Sequence, residues 1–184
     1  MTARIVLLNG VGSVGKSSIA KALQTITAEP FLHVQMDAFI AMLPEALQDN
    51  AAGFAYEAVG EDGGPPIVAI NTGPVGARTL RGMRHAIAAM AEQGNNLIVD
   101  DVMCNGEMPE YLGLLSKFDL HLVGVFASLD ILEGREIQRA DRLPGLARWQ
   151  YDRVHKGIDY DLEVDTSVLT PLECARRIQQ RFQL

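Results

Sequence analysis

Gly10, Gly15, Lys16 and Ser17 satisfy the spacing G-x-x-x-x-G-K-[ST] within the stretch GVGSVGKSS. Glycines so placed let a backbone wrap a phosphate group with successive N–H groups pointing inward, and a helix opening near Lys16 adds the positive end of its dipole. The cradle runs through Gly10, Val11, Gly12, Ser13, Val14, Gly15, Lys16, Ser17 and Ser18. In such a loop the lysine reaches the β and γ phosphates and the Ser17 hydroxyl ligates Mg²⁺. A glycine-rich turn with an exposed lysine is the bland alternative, and the apolar run before the loop and the helical pattern after it argue against that.

A phosphate loop needs a second carboxylate for Mg²⁺ or its water shell, commonly at the end of an apolar strand. Asp100 and Asp101, closing the run LIVDD, fit that place. Neighbouring residues of a strand point to opposite faces, so the pair supplies two candidates and no choice between them. Either could instead cap the segment that follows. Asp37 closes a second apolar run, FLHVQM, where a hydroxyl would have to sit to attack a γ-phosphoryl group. A free aspartate has a pKa of about 3.9 and cannot deprotonate an alcohol in the ground state. In a loose transition state it need only orient the hydroxyl and accept its proton late. The competing role for Asp37 is an N-cap.

The stretch GREIQRADR sets Arg135, Arg139 and Arg142 at i, i+4 and i+7, on one helical face. Such a face can close over the γ-phosphate and exclude water, or it can be a solvated surface paired with Glu136 and Asp141. The four histidines are scattered and suggest neither a triad nor a metal site. Cys104 and Cys174 are far apart, with no C-x-x-C and no histidine at metal spacing, and read as two ordinary thiols.

The elements that must position these groups alternate. Strands are expected at 4–8, 31–36, 96–101, 119–127 and 162–166. Helices are expected at about 16–27, from 37 to about 47, from Pro74 to Gly94, at 107–116, and over 128–154 with interruptions at Pro144 and Gly145. In the helix after Pro74, Leu80, Met83, Ile87 and Met90 form one stripe. The last helix carries a capping box, with Thr170 as N-cap, Pro171 at N1 and Glu173 at N3, and should turn Cys174, Ile178 and Phe182 inward. Strand–helix alternation implies right-handed crossovers and a parallel sheet covered on both faces, with ligands beyond the carboxyl ends of its strands. Asp37, Asp100, Asp101 and the glycine loop all fall at that edge. Residues 50–73 break the rhythm with a hairpin or an irregular excursion around Gly63 and Gly64, and such inserts often carry specificity.

The 184 residues suffice for a single domain spanning 1–184, and a net charge of −7 makes the surface as a whole repel nucleic acid and anionic membranes. An anionic ligand must then be held by a local feature. No segment approaches the ~20 apolar residues of a bilayer span and no basic leader precedes the first apolar run, so a cytoplasmic location is the expectation.

Taken together, LLNG and GKSS, MDAFIAMLP, LIVDDV, VGVFASLDILEGREIQRADR, VHKGIDYDLEVDTS and ECARRI resemble the chloramphenicol phosphotransferase family of small P-loop kinases over most of the chain. The resemblance implies an α/β three-layer sandwich with a five-stranded parallel sheet and a helical lid within about 128–154. It further implies ATP as donor on Gly10–Ser18, Asp37 as base toward a primary hydroxyl, and a lid bearing Arg135, Arg139 and Arg142. Residues 50–73 depart from the family pattern. If that insert lines the acceptor pocket, the departure bears on which small-molecule alcohol is phosphorylated. Chloramphenicol or a similar compound is the first expectation, and a nucleoside, sugar or other metabolite the second. A nucleotide-binding module without transfer chemistry is the third, although the N-K-x-D motif of a guanine-specific switch does not occur.

Overall fold

The computed structural model describes residues 2–60, 63–138 and 143–184. Five parallel strands make the central sheet: β1 (Arg4–Asn9), β2 (Phe31–Gln35), β5 (Asn96–Asp101), β6 (Asp119–Phe126) and β7 (Leu162–Asp165), in the spatial order β2-β5-β1-β6-β7. β1 lies at the centre, with Leu8 opposite Asp100 of β5 on one side and opposite Val123 of β6 on the other. The other two strands, β3 (Phe54–Ala58) and β4 (Val68–Thr72), form a separate antiparallel hairpin within the segment 50–73.

Pleating divides the apolar residues between two layers. Val6, Leu8 and Ile98 pack with Ile19 and Leu23 of α1 (Lys16–Ile26) and with Cys174, Ile178 and Phe182 of α7 (Pro171–Phe182). Ile5, Leu7, Leu97 and Val99 pack with Met83 and Ile87 of α3 (Pro74–Glu92) and with Tyr111 and Leu115 of α4 (Met108–Leu115). Each such fully buried aliphatic side chain contributes about 1.5–3 kcal/mol of hydrophobic free energy, so the two layers hold the sheet and its carboxyl edge in a fixed position. The expected α/β sandwich is present. So is the capping box of α7: the Glu173 N–H donates to Thr170 Oγ1 and Glu173 Oε2 accepts from the Thr170 N–H at 2.8 Å.

One boundary differs from expectation. The chain leaves β2 at Gln35 and enters a short helix, α2 (Met36–Ile40), followed by a 3-10 turn (Glu45–Leu47), so the helix expected to reach residue 47 is broken. The segment 128–154 holds α5 (Leu129–Ile137) and α6 (Leu146–Tyr151). The hairpin rests on the start of α3, where the Gly73 N–H donates to the Gly53 carbonyl at 2.7 Å, and on the start of α6, where the Val68 N–H donates to the Gly145 carbonyl at 3.1 Å.

Behind the carboxyl edge of β1 lies a buried polar chain. Asn9 Nδ2 donates to the Val154 carbonyl and to Tyr160 Oη, both at 2.7 Å, and the Tyr160 hydroxyl meets His155 Nδ1 at 2.8 Å. With Tyr160 as donor to Nδ1, the imidazole is neutral, and it stacks on Phe126 at 3.9 Å. Burial, aided by the Lys16 charge, pushes the His155 pKa down to about 4. Between about 6.5 and about 4 the unfolded chain takes up a proton that the folded one refuses, so this contribution to stability is complete above that window and is lost as pH falls through it. His155→Phe keeps the stack but not the acceptor. It should cost ~1 kcal/mol at pH 7 and make the urea midpoint fall less steeply than wild type between pH 7 and pH 4.

Candidate active site

The phosphate loop leaves β1 at Asn9 and enters α1 at Lys16. Two of its glycines are required by geometry. A Cβ on Gly10 would lie 2.4 Å from the Val125 carbonyl oxygen, and Gly15, the N-cap of α1, has φ +103°. Lys16 is buried at 6% exposure, and its Nζ donates to the carbonyls of Gly10 at 2.8 Å and Val11 at 3.0 Å. Around the loop lies a cavity of about 500 Å³, walled by residues 12–18 together with Gln35, Met36, Asp37, Asp100, Arg135 and Thr166. Gly10 and Val11 stand behind that wall, where their carbonyls hold the lysine.

The strand pleat separates Asp100 from Asp101. Asp100 points to the α1 face, where its Oδ2 accepts from Ser17 Oγ at 2.5 Å and its Oδ1 lies 3.8 Å from Lys16 Nζ. Burial works to raise the Asp100 pKa, but the His33 imidazole, the Lys16 ammonium and the Ser17 hydroxyl outweigh it and hold the carboxyl below its ordinary value. His33 Nε2 at 3.6 Å from Oδ2 and Lys16 Nζ at 3.8 Å from Oδ1 are both beyond hydrogen-bond reach, so Ser17 is the hydrogen-bonding partner and Lys16 acts on the carboxylate through its charge. Asp101 points to the α4 face. Its Oδ2 accepts from the Tyr111 hydroxyl at 2.6 Å and its Oδ1 from the Val102 N–H at 2.7 Å, and burial raises its pKa. Asp101 is absent from the cavity wall, to which Asp100 belongs.

A hydroxyl and a carboxylate in contact are hard oxygen donors, which suit Mg²⁺ held by one or two protein groups, waters and substrate phosphates. The Ser17–Asp100 pair therefore fits the ion. Asp100→Asn should raise the Mg²⁺ concentration required for nucleotide binding several-fold. Asp101→Asn should leave that requirement unchanged and lower stability by ~1–3 kcal/mol, because a buried donor loses its carboxylate. A Mg²⁺ titration monitored by bound nucleotide, beside a denaturant melt of each variant, checks the pair.

Asp37 lies inside the first turn of α2 and is exposed to the cavity, across from the loop. The cap position is Gln35, whose side chain makes no cap bond, so the capping alternative for Asp37 does not hold. Arg135 also lies in the cavity wall, but its guanidinium is engaged with protein: Nη1 donates to Thr166 Oγ1 at 2.9 Å and to the Val14 carbonyl at 3.3 Å, and Nη2 to the Thr166 carbonyl at 2.8 Å. It braces the loop against the turn after β7. Arg139 and Arg142, expected on the same face, lie outside the described residues. No residue of 50–73 is in the described wall of this cavity, since the hairpin packs on α3 and α6 instead.

Sequence reasoning passed over two residues that the fold brings to the loop, Thr166 and Gln150. Thr166 donates its hydroxyl to the Val14 carbonyl at 2.8 Å. Gln150 Oε1 accepts from the Gly12 N–H at 2.7 Å. Glu136 holds the start of α6, its carboxylate accepting from the Gly145 and Ala147 N–H groups at 2.7 and 2.9 Å. A signal for Thr166 existed in the conspicuous VDTS turn; for Gln150 none existed, because its partner lies 138 residues away. Cys104, with its pKa pushed up to about 12 mainly by burial, is an inert thiol as expected.

Comparison with known proteins gives concordant results. A candidate O-phosphotransferase of Mycobacterium tuberculosis is 31% identical over 185 residues, covering 98% of this chain and 82% of that protein. Among solved structures, a sugar kinase from Janibacter superposes with a TM-score of 0.67 at 18% identity, covering 98% of this chain and 95% of that one. The APS kinase of Mycobacterium tuberculosis in complex with AMPPNP and APS gives 0.65 at 14% identity, covering 100% of this chain and 99% of that one. A gluconokinase from Sinorhizobium meliloti gives 0.64 at 16% identity, covering 99% and 92%. At these identities the structures establish the fold, that of the P-loop kinases. Residues 3–183 match the family described as chloramphenicol phosphotransferase-like protein, and the chain belongs to that family of P-loop phosphotransferases.

Proposed function

We propose that the protein transfers the γ-phosphoryl group of ATP to a primary hydroxyl of a small molecule, with Asp37 as the proton acceptor. The observation that carries this is the placing of Asp37 and the phosphate loop in one cavity, with the Ser17–Asp100 pair beside the lysine. The triphosphate would lie along the amides of residues 13–18, with Lys16 exchanging its carbonyl partners for the β and γ oxygens. The acceptor hydroxyl, oriented by the Asp37 carboxylate, attacks phosphorus. The new O–P bond forms as the bond from the bridging oxygen to the γ-phosphorus breaks, ADP departs, and the hydroxyl proton passes to Asp37. Mg²⁺, held through Ser17 and Asp100, would neutralise charge on the phosphates when bound. Arg139 and Arg142 would bring further positive charge from the lid, while Arg135 keeps the loop in shape.

Chloramphenicol or a compound like it is the first acceptor to test, on the strength of the family. A sugar or another metabolite is the second, since the solved relatives named above include a sugar kinase and a gluconokinase. The deciding experiment incubates the protein with Mg·ATP and a panel of chloramphenicol, sugars and nucleosides, and reads products by mass spectrometry. One acceptor should gain a single phosphoryl group as ADP appears in equal amount. Unchanged chloramphenicol at high enzyme concentration would remove the first acceptor, and ATP binding without transfer to any alcohol would remove the kinase reading.

A further inference from the structure

The phosphate loop is gripped from outside as well as from within. Lys16 holds its base at the Gly10 and Val11 carbonyls, Arg135 and Thr166 hold the Val14 carbonyl, and Gln150 holds the Gly12 N–H. Gln150 is 6% exposed, so its side-chain carbonyl has given up water and returns that cost only through a partner as good as the Gly12 amide. The fit is close: a Cβ on residue 12 would stand 3.2 Å from Oε1.

Gln150 sits on α6, and α6 is itself fixed at its start. Glu136 of α5 spans the Gly145 and Ala147 amides, and the Gly145 carbonyl accepts from Val68 of the hairpin. Gly145 has φ +100°, and a Cβ there would lie 2.6 Å from the Pro66 carbonyl oxygen, so the joint between hairpin and helix admits no side chain. A continuous set of contacts therefore runs from the hairpin through α6 to the apex of the loop that receives the nucleotide.

We infer that Gln150 is a positioning residue for the phosphate loop, holding the Gly12 peptide through its buried carbonyl so that α6 and the segments clamping it set the shape of the loop apex. The inference rests on the reading of the loop as the ATP site, and goes beyond it by assigning the apex a support outside the motif. Without the acceptor, the Gly12 peptide is free to turn, and the amides beside it are no longer pre-aligned for phosphate.

Gln150→Leu keeps the bulk and removes the carbonyl, and Gln150→Glu keeps an acceptor oxygen in the same place. In the free protein the Gly12 amide proton, read by NMR, should move upfield and exchange faster in Gln150→Leu while staying near its wild-type position in Gln150→Glu. The dissociation constant of Mg·ATP for the folded Gln150→Leu protein should rise about tenfold. Glu136→Gln, which loosens α6 and leaves Gln150 in place, should raise it in the same direction and by less. A Gln150→Leu protein with a lower melting midpoint but wild-type Mg·ATP affinity would reduce Gln150 to a structural residue and overturn the inference, as would an unmoved Gly12 amide. Wild-type affinity in Glu136→Gln would overturn the part played by α6. A wild-type protein that binds no Mg·ATP would sink the donor assignment instead, and the Gly12 amide would still report on the tether.

Discussion

Asp37→Asn is expected to lower phosphoryl transfer by about 10²–10⁴-fold, the usual worth of a positioned general base, with Mg·ATP affinity unchanged. The split follows from where Asp37 stands. It belongs to α2, apart from the loop, whereas in the proposed reaction the donor is held by loop amides, Lys16 and the Ser17–Asp100 pair. An amide in place of the carboxylate can still hold the acceptor oxygen but cannot take its proton, so the loss should fall on kcat and spare the KM for ATP. Asp37 is exposed and lies within a helical turn, so the substitution leaves the apolar core untouched, and the variant should melt as a folded protein. Nucleotide affinity by titration, turnover by ADP release and a thermal melt on one preparation make the test. Turnover within a few-fold of wild type would remove Asp37 as the base, and a parallel loss of ATP affinity would place it on the donor side.

The parts of this site that were legible in the sequence are those whose constraint is local. The phosphate loop is one: its glycines, lysine and serine answer to a single turn between β1 and α1, and the structure sets them there. The capping box of α7 is another, since Thr170 and Glu173 are three residues apart. The choice between Asp100 and Asp101 was not legible, because it depends on which helix covers which face of β5. Once Ile98 packs toward α1 and Val99 toward α4, parity decides, and only the assembled layers supply that parity. Of the arginine face, Arg135 lies on α5, and Arg139 and Arg142 lie outside the described residues. The roles of Gln150 and Glu136 were not legible either, because each acts through backbone amides that only the folded chain brings to it. Local motifs thus mark the glycine loop, and the supports that hold it in shape are properties of the tertiary fold.

Lys16→Ala should behave differently from Asp37→Asn, and the difference separates the two sides of the reaction. The ammonium now rests on the Gly10 and Val11 carbonyls, with Asp100 Oδ1 3.8 Å away. A triphosphate offers it anionic acceptors in place of neutral ones, so the exchange strengthens its bonds, and it strengthens them further as charge gathers on the transferring group. In the proposed reaction Lys16 would therefore contribute to both binding and the transition state. Its removal should weaken Mg·ATP binding by about ten- to a hundredfold and lower kcat/KM by about 10²–10³-fold beyond that. The free protein should also lose stability, because the buried Asp100 carboxylate is left without its cation and the Gly10 and Val11 carbonyls without their donor. Lys16→Arg should not restore activity: a planar fork cannot occupy a cradle whose two carbonyls converge on one point. Nucleotide titration and turnover on both variants decide the matter. Transfer that survives in Lys16→Ala with affinity intact would show that the loop binds something other than the phosphates being transferred, and the cavity would need another donor.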